Sequence, residues 1–69
     1  MKAKEELQPH QLRVVEEKEE LDEKLEKLIK FFDSSIFQNL EQIDQDLLKR
    51  QEYLMNGYSQ TLGNRIERF

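Results

Sequence analysis

Apolar residues recur at helical spacing along two long stretches of this chain, and this periodicity limits the possible folds more than any other feature. The first stretch carries one stripe of apolar side chains, formed by Val14, Leu21, Leu25, Leu28 and Phe32. In the second stretch an apolar residue returns every seven positions, at Leu48, Met55, Leu62 and Phe69. Such a repeat is typical of a helix that packs along another helix. The pattern therefore predicts two helices that pair lengthwise.

The segment boundaries follow from the residues that interrupt this pattern. Pro9 suits the first turn of a helix, because its missing N–H would have no partner there. We predict a first helix over residues 9–33, a corner over residues 34–40 and a second helix over residues 41–67, preceded by a flexible segment or short turn over residues 1–8. In the corner, Ser35 and Gln38 have capping-box spacing, which predicts a single helical turn. The predicted fold class is all-α, an antiparallel two-helix hairpin.

The second helix has positions whose role the pattern leaves open. Between the heptad residues, the same face is predicted to carry Gln51, Tyr58 and either Arg65 or Ile66. Gly57 and Gly63 also lie in this helix, and each destabilises it by up to about 1 kcal/mol relative to alanine. Either a neighbouring backbone or ligand approaches closely at these glycines, or the C-terminal turn is flexible.

The length of the chain makes self-association the expected route to stability. Domains of 69 residues are marginal unless they are cross-linked, metal-bound or oligomeric. The chain has no cysteine and one histidine, which excludes disulfides and argues against metal sites. A lone hairpin would leave many apolar side chains in water, among them Val15, Ile29, Phe31, Leu47, Tyr53 and Leu54. We therefore expect a compact homo-oligomer.

Composition and charge exclude several functional classes. With 36% hydrophobic and 38% charged residues, two glycines and one proline, the chain suits exposed helices rather than disorder. The net charge of −4 argues against a basic nucleic-acid-binding domain. There is neither an apolar run long enough to span a membrane nor the apolar core of a signal peptide, so we expect a cytosolic protein. No catalytic constellation is visible, and we expect a protein that is not an enzyme and needs no cofactor or metal.

Basic and aromatic residues on the helices are the candidates for binding. Lys24, Lys27 and Lys30 each follow a glutamate by four residues, so they are suited to ion pairs along the helix. The alternative is that one of these lysines meets phosphate oxygens at a subunit boundary. His10 and Arg13 lie three apart near the start of the first helix and either stay exposed or hold a base and a phosphate.

A further group of candidates lies in the C-terminal part of the second helix, where Tyr58, Arg65 and Arg68 share a face. Tyr58 is either part of the core, with its hydroxyl satisfied, or a stacking group for a ligand. Arg65 is either a partner of the helix dipole or a ligand contact.

The order of these residues resembles that of the phage anti-CBASS sponge family, whose helical hairpin is shared with a Thoeris-inhibiting sponge. The similar landmarks cover about residues 9–66. They are Arg13-Val14-Val15-Glu16-Glu17-Lys18, Leu21-Asp22-Glu23-Lys24, Lys27-Leu28, Phe37, Leu40, Leu47-Leu48, Gln51, Met55, Tyr58-Ser59, Leu62 and Arg65-Ile66.

The resemblance implies a homohexamer that sequesters cyclic oligonucleotides such as cGAMP in the cytoplasm of an infected bacterial host, with no DNA, RNA or membrane partner. It places His10 and Lys24 in a pocket for cyclic dinucleotides and Arg65 in a second pocket for cyclic trinucleotides. Together with the residue-based candidates, the predicted ligand-binding set is His10, Arg13, Lys24, Lys27, Tyr58 and Arg65.

Two other hypotheses compete with a sponge. One is an adaptor helix pair that binds a host protein through its apolar face. The other is an acidic mimic of DNA, supported by the net charge of −4 and weakened by the interspersed lysines.

Overall fold

The computed structural model describes residues 4–69, and this part of the chain is built from helices. A 3₁₀ turn spans Lys4–Glu6, and three α-helices follow, α1 over Pro9–Phe31, α2 over Ser35–Gln38 and α3 over Gln42–Glu67. Residues 4–69 contain no strand, which confirms the all-α class. The two long helices, α1 and α3, pack along each other, and residues early in α1 meet residues late in α3.

The start of α1 is closed by a local hydrogen bond. The backbone N–H of Gln8 donates to the side-chain oxygen of Gln11 at 2.9 Å, three residues on. Pro9 occupies the first helical position, where its lack of an N–H has no consequence.

The corner between the long helices is held by Ser34 and by aromatic packing. The Ser34 hydroxyl donates to the carbonyl of Phe31 at 2.7 Å and accepts from the N–H of Phe37 at 3.2 Å. Ser34 therefore caps α2, one residue earlier than the Ser35 spacing indicated. Phe37 is 5% exposed, and its ring centre lies 4.9 Å from that of Phe32.

The side chain of Gln45 fixes this corner against the first turn of α3. Its amide nitrogen donates to the carbonyl of Phe37 at 2.9 Å and to the carbonyl of Leu40 at 3.2 Å. The Phe37 carbonyl also accepts from the backbone N–H of Leu40 at 3.1 Å, so Gln45 adds a side-chain bond where the backbone leaves α2. The connection is thus an ordered corner rather than a free linker.

The best-buried part of the hairpin lies where the start of α1 meets the end of α3. Val14, Leu62 and Ile66 form a buried cluster, and Val15, Leu21 and Phe69 pack against it. Leu62 is 1% exposed and is the largest fully buried side chain of the described residues. Leu25 continues the buried seam along α1.

The seam of α3 differs from the predicted one at every second position. Tyr58 is 45% exposed and Gln51 is exposed as well, whereas Ser59 and Ile66 are buried. The expectation that Gln51 and Tyr58 lie in the seam is therefore wrong by one residue, and of the two late options it is Ile66 that packs. Steps of three and four residues both keep a side chain on one helical face, and the burial of Ser59 and Ile66 corresponds to steps of four from Met55 and from Leu62.

The two glycines of α3 have different surroundings. A methyl group placed on Gly63 would lie 3.4 Å from the Cε atom of Lys18, so an α1 side chain passes over this glycine. A methyl group placed on Gly57 would meet nothing within 4 Å. Within one chain, a side chain of α1 therefore approaches Gly63 closely, whereas Gly57 faces open space.

The hairpin is a thin rod with much exposed apolar surface. Its principal extents are 48 × 16 × 15 Å, and its radius of gyration is 15.4 Å, against about 11 Å for a compact domain of this length. The large hydrophobic side chains left exposed are Ile29, Ile36, Ile43, Leu47, Tyr53, Leu54 and Tyr58. Among residues 4–69, neither long helix contains an apolar stretch that could span a membrane.

Candidate ligand-binding face

A polar network crosses the seam and sets how α1 and α3 are aligned. The Lys18 ammonium lies 2.7 Å from the Asp22 carboxylate and donates to the Ser59 hydroxyl at 2.9 Å. That hydroxyl in turn donates to the other oxygen of Asp22. Because Ser59 is 7% exposed, its hydroxyl needs partners, and a shift of α3 by one residue would remove them.

Asp22 in this network is expected to give the hairpin a specific sensitivity to acid. The hydrogen bond from Lys18, and then that from Ser59, hold the pKa of the Asp22 carboxyl below its usual value, against a smaller opposing effect of burial. A carboxyl whose pKa is lower in the folded state stabilises the fold above its unfolded pKa of about 4, and this contribution is lost as the pH falls through the folded value.

The measurement is urea unfolding of the wild type and of Asp22→Asn between pH 7 and pH 2. We expect the stability difference between the two proteins to shrink as the pH falls below about 4. Glu16→Gln, on the exposed part of α1, is the control for general carboxyl titration. A difference that stays constant across this range would contradict the assigned role of Asp22.

The six residues predicted to bind a ligand are all exposed: His10, Arg13, Lys24, Lys27, Tyr58 and Arg65. His10 and Arg13 lie in the first turns of α1, and Arg65 lies in the last turn of α3, at the same end of the antiparallel hairpin. Lys24 lies about 16 Å further along α1 than Arg13, at 1.5 Å per residue. Within one chain the predicted residues therefore form an end group and a mid-helix group.

Two of the four lysines on α1 make no ion pair with the described residues. Lys30 lies 3.3 Å from Glu26, as the four-residue spacing predicted. In residues 4–69 neither Lys24 nor Lys27 has such a partner, although each also follows a glutamate by four residues. These two ammonium groups are therefore open to an external anion.

Helix geometry places most of the predicted residues on one side of the hairpin. Counting about 100° per residue from the buried seams, Arg13, Lys24 and Lys27 lie roughly 80–140° to one side of the α1 seam. On α3, Tyr58 and Arg65 lie at roughly similar angles from the α3 seam and in the same rotational sense. His10, on α1, lies nearer to the α1 seam. Antiparallel helices are related by an approximate two-fold axis across them, so the same sense on each helix leads to the same side.

We call this side the mixed face, defined by Arg13, Lys24 and Lys27 of α1 and Leu47, Leu54, Tyr58 and Arg65 of α3. The polar network supports this assignment of sides. Asp22 and Ser59 both lie on the other rotational side of their seams, away from the mixed face, and they are in contact with each other. Asp22 and Glu26 therefore lie away from the mixed face, whereas Glu17 and Glu20 fall on the same side of α1 as the cations of that face by the same count.

The mixed face carries a shallow groove on α3. The groove has a volume of about 300 Å³. Its lining is formed by Leu47, Arg50, Gln51, Leu54, Met55 and Tyr58. The combination of an apolar floor, a guanidinium group and a tyrosine ring suits either a flat charged ligand or another helix.

Arg50 and the groove were missed from the sequence, although a signal was present. Leu47, Leu54 and Tyr58 recur at steps of seven and four residues and thus form a second helical stripe on α3. The heptad spacing instead predicts Tyr58 in the other stripe and leaves Leu47 and Leu54 as surplus apolar residues. Residues 4–69 contain no group of acidic or histidine side chains that could hold a metal ion.

The fold and this face define a small all-α hairpin protein whose solvent-facing surface combines cations with apolar side chains and a tyrosine ring. A family model described as Sequestin matches residues 8–68, and the chain belongs to that family. No curated protein and no solved structure matches the chain significantly.

Proposed function

We propose that this protein binds cyclic oligonucleotide signals and sequesters them, without catalysis, as a homo-oligomer in the cytoplasm of a phage-infected bacterium. The family name Sequestin suggests that members hold a partner, and the resemblance to phage anti-CBASS sponges suggests which one. The structural observation that carries the proposal is the mixed face, where Lys24 and Lys27 are exposed, make no ion pair with any of residues 4–69, and lie on the same side as Tyr58.

The chemistry of a cyclic oligonucleotide matches these groups. Each phosphate carries a negative charge that an ammonium or guanidinium group binds, and each base offers a flat surface for stacking on a ring. In our proposal Lys24 and Lys27 contact phosphates of a cyclic dinucleotide, with His10 and Arg13 closing the pocket. Arg65 serves a second pocket for a cyclic trinucleotide.

Self-association is part of the proposal because one hairpin does not bring these groups together. His10 and Arg13 lie about 16 Å or more from Lys24 along α1, which exceeds the reach of a small pocket. A neighbouring copy would supply a second set of groups across a subunit boundary. Burying a half-exposed leucine or isoleucine contributes about 1 kcal/mol, so the exposed apolar residues support association, and the resemblance implies six copies.

Calorimetric and thermal-shift titrations of the full chain against cyclic dinucleotides and trinucleotides test the proposal. A ligand at a hundred times its Kd stabilises the folded state by about 2.7 kcal/mol. For a domain of this size this corresponds to a rise in Tm of roughly 10–20 °C. Linear dinucleotides and mononucleotides of the same bases are the controls, and we expect them to give much smaller shifts.

The fate of the ligand separates sequestration from catalysis. After binding, the protein is heat-denatured and the released nucleotide is analysed by chromatography. We expect the cyclic compound to be recovered unchanged and in a fixed ratio to the protein. Conversion to a linear product would contradict a non-catalytic role, and the absence of any shift across the panel would contradict the ligand class.

The exposed stripe of α3 favours one alternative, an adaptor that binds a host protein. Leu47 and Leu54 are 56% and 57% exposed, and a helix of another protein could cover them. This function predicts no response to any nucleotide in the panel, whereas a sponge predicts a response to at least one.

A further inference from the structure

The exposed stripe of α3 has a spacing that reads the same in both directions. Ile43, Leu47, Leu54 and Tyr58 are 45–60% exposed, and they follow one another at steps of four, seven and four residues. The midpoint of this series falls between Arg50 and Gln51. An interface between two copies related by a two-fold axis requires such self-complementarity, because residue i must meet residue j while j meets i.

The groove on this stripe has the shape that receives side chains of a helix. When helices pack knobs-into-holes, each side chain enters a hole formed by four residues of the facing helix, at positions i, i+3, i+4 and i+7. The six groove residues form two such holes in succession. The first consists of Leu47, Arg50, Gln51 and Leu54, and the second of Gln51, Leu54, Met55 and Tyr58.

We propose that a second copy of this chain docks on this stripe, with the two α3 helices antiparallel and the two-fold axis between Arg50 and Gln51. The proposal specifies one contact of the oligomer in the proposed function and rests on that function only for the consequence drawn below for the ligand. In this arrangement Leu47 lies level with the partner's Leu54, and Ile43 lies level with the partner's Tyr58. The partner's Leu47 then enters the second hole.

Helix dipoles and charge favour the antiparallel arrangement over a parallel one. Antiparallel helices place the positive end of each dipole beside the negative end of its neighbour, whereas parallel helices place like ends together. A parallel pair would also set Arg65 against the partner's Arg65 along the same stripe. The antiparallel pair instead places the two arginines at opposite ends of the contact.

The pairing has a consequence for the ligand-binding residues. Tyr58 lies at the end of the stripe and on its α1 side, so its ring would border both the partner's Ile43 and the cations of α1. The cleft between α1 of one copy and α3 of the other would then be lined by Lys24, Lys27 and groups from the partner. A ligand pocket at a subunit boundary follows from this geometry, and a lone hairpin does not form it.

Sedimentation of paired charge variants tests whether the stripe is the contact. Leu54→Glu places a carboxylate in the centre of the stripe, and we expect it to raise the dissociation constant at least tenfold. Tyr53→Glu is the matched control, since Tyr53 is 75% exposed and lies on another face of α3. We expect less than a twofold change for this control. Equal effects of the two variants, or an unchanged assembly in Leu54→Glu, would overturn the proposal.

Disulfide cross-linking tests the relative orientation of the two α3 helices. No native thiol competes with the introduced ones, because the chain has no cysteine of its own. Leu47→Cys and Leu54→Cys are prepared separately and then oxidised alone and as a mixture. In the antiparallel pair residue 47 lies level with the partner's residue 54, while two copies of residue 47 lie about 10 Å apart along the helices. We expect cross-linking mainly in the mixture. Cross-linking of each variant alone, with none between them, would show a parallel pair and overturn the proposal.

The outcome for this contact is separable from the outcome for ligand binding. A wild-type chain that sediments as a monomer, or an assembly that Leu54→Glu leaves intact, overturns the antiparallel contact whatever the nucleotide titrations show. Conversely, an antiparallel pair that binds no cyclic nucleotide supports this contact and contradicts the proposed ligand.

Discussion

Replacing Leu62 with alanine is expected to lower the free energy of unfolding by about 2–5 kcal/mol. Leu62 is 1% exposed and joins Val14 and Ile66 in the buried cluster. The substitution removes apolar contacts and leaves a cavity that two stiff helices are poorly able to close. Small domains have stabilities near the lower end of 5–15 kcal/mol, so the variant is expected to be largely unfolded at 37 °C.

Urea unfolding followed by circular dichroism at 222 nm measures this effect, at one fixed protein concentration because association adds to apparent stability. Tyr53→Ala is the control, since Tyr53 is 75% exposed and substitution at such positions changes stability by about 0.5 kcal/mol or less. A Leu62→Ala protein as stable as this control would mean that the cluster does not hold the hairpin together.

Replacing Lys24 with glutamate is expected to weaken binding of a cyclic dinucleotide at least tenfold, equivalent to about 1.4 kcal/mol or more. In the proposed pocket, the substitution exchanges an attractive charge next to a phosphate for a repulsive one. Lys24 is exposed and makes no ion pair within residues 4–69, so its loss is not expected to unfold the hairpin. Titration calorimetry measures the affinity, and sedimentation checks that the assembly is intact.

Lys30→Glu is the matched control for the charge reversal. Lys30 lies on the same helix, two turns further on, but on the side away from the mixed face and paired with Glu26. We expect its affinity to stay within about twofold of the wild type, since surface pairs contribute little. Equal losses for the two variants would mean that net charge, rather than Lys24 itself, governs binding.

A sequestering protein is limited in a way that an enzyme is not. Each site removes one ligand molecule, so the protein must match the ligand in amount and hold it more tightly than the effector that the ligand activates. Several sites in one small assembly would serve this need, because a chain of 69 residues supplies few binding groups of its own. The exposed stripe and unpaired lysines are therefore expected to act together, and the titration stoichiometry tests this directly.

The prediction of two paired helices succeeded because the apolar spacing extends over many turns. Each of the two long helices carries an apolar stripe. Within one chain, the most extensive surface against which that stripe can be buried is the other long helix. The cap of α2 was placed one residue late, since Ser34 and Ser35 are adjacent and both can accept a backbone hydrogen bond. Only the contact of the Ser34 hydroxyl with Phe31 and Phe37 distinguishes them.

The binding residues were harder to predict than the helices. Residue type indicates Lys24 and Lys27 as candidates for ligand binding. The four-residue spacing indicates equally well that each forms an ion pair with the glutamate before it. Whether a surface pair forms depends on small energies, a few tenths of a kcal/mol. In the described residues the pair forms at Lys30 and not at Lys24 or Lys27.

The periodicity of the sequence is enough to predict that this protein is helical, that two long amphipathic helices pack together, and that a lone pair leaves apolar surface exposed, because these properties depend on local spacing. Which side of α3 enters the seam depends instead on contacts between the two helices. The apolar spacing is compatible with a step of three or of four residues, and in the structure Ser59 is buried with Leu62 and Ile66 and bonds to Lys18 and Asp22 across the seam. With Ser59, Leu62 and Ile66 buried, Tyr58 lies on the exposed side of α3, the same side as the two lysines that make no ion pair within residues 4–69.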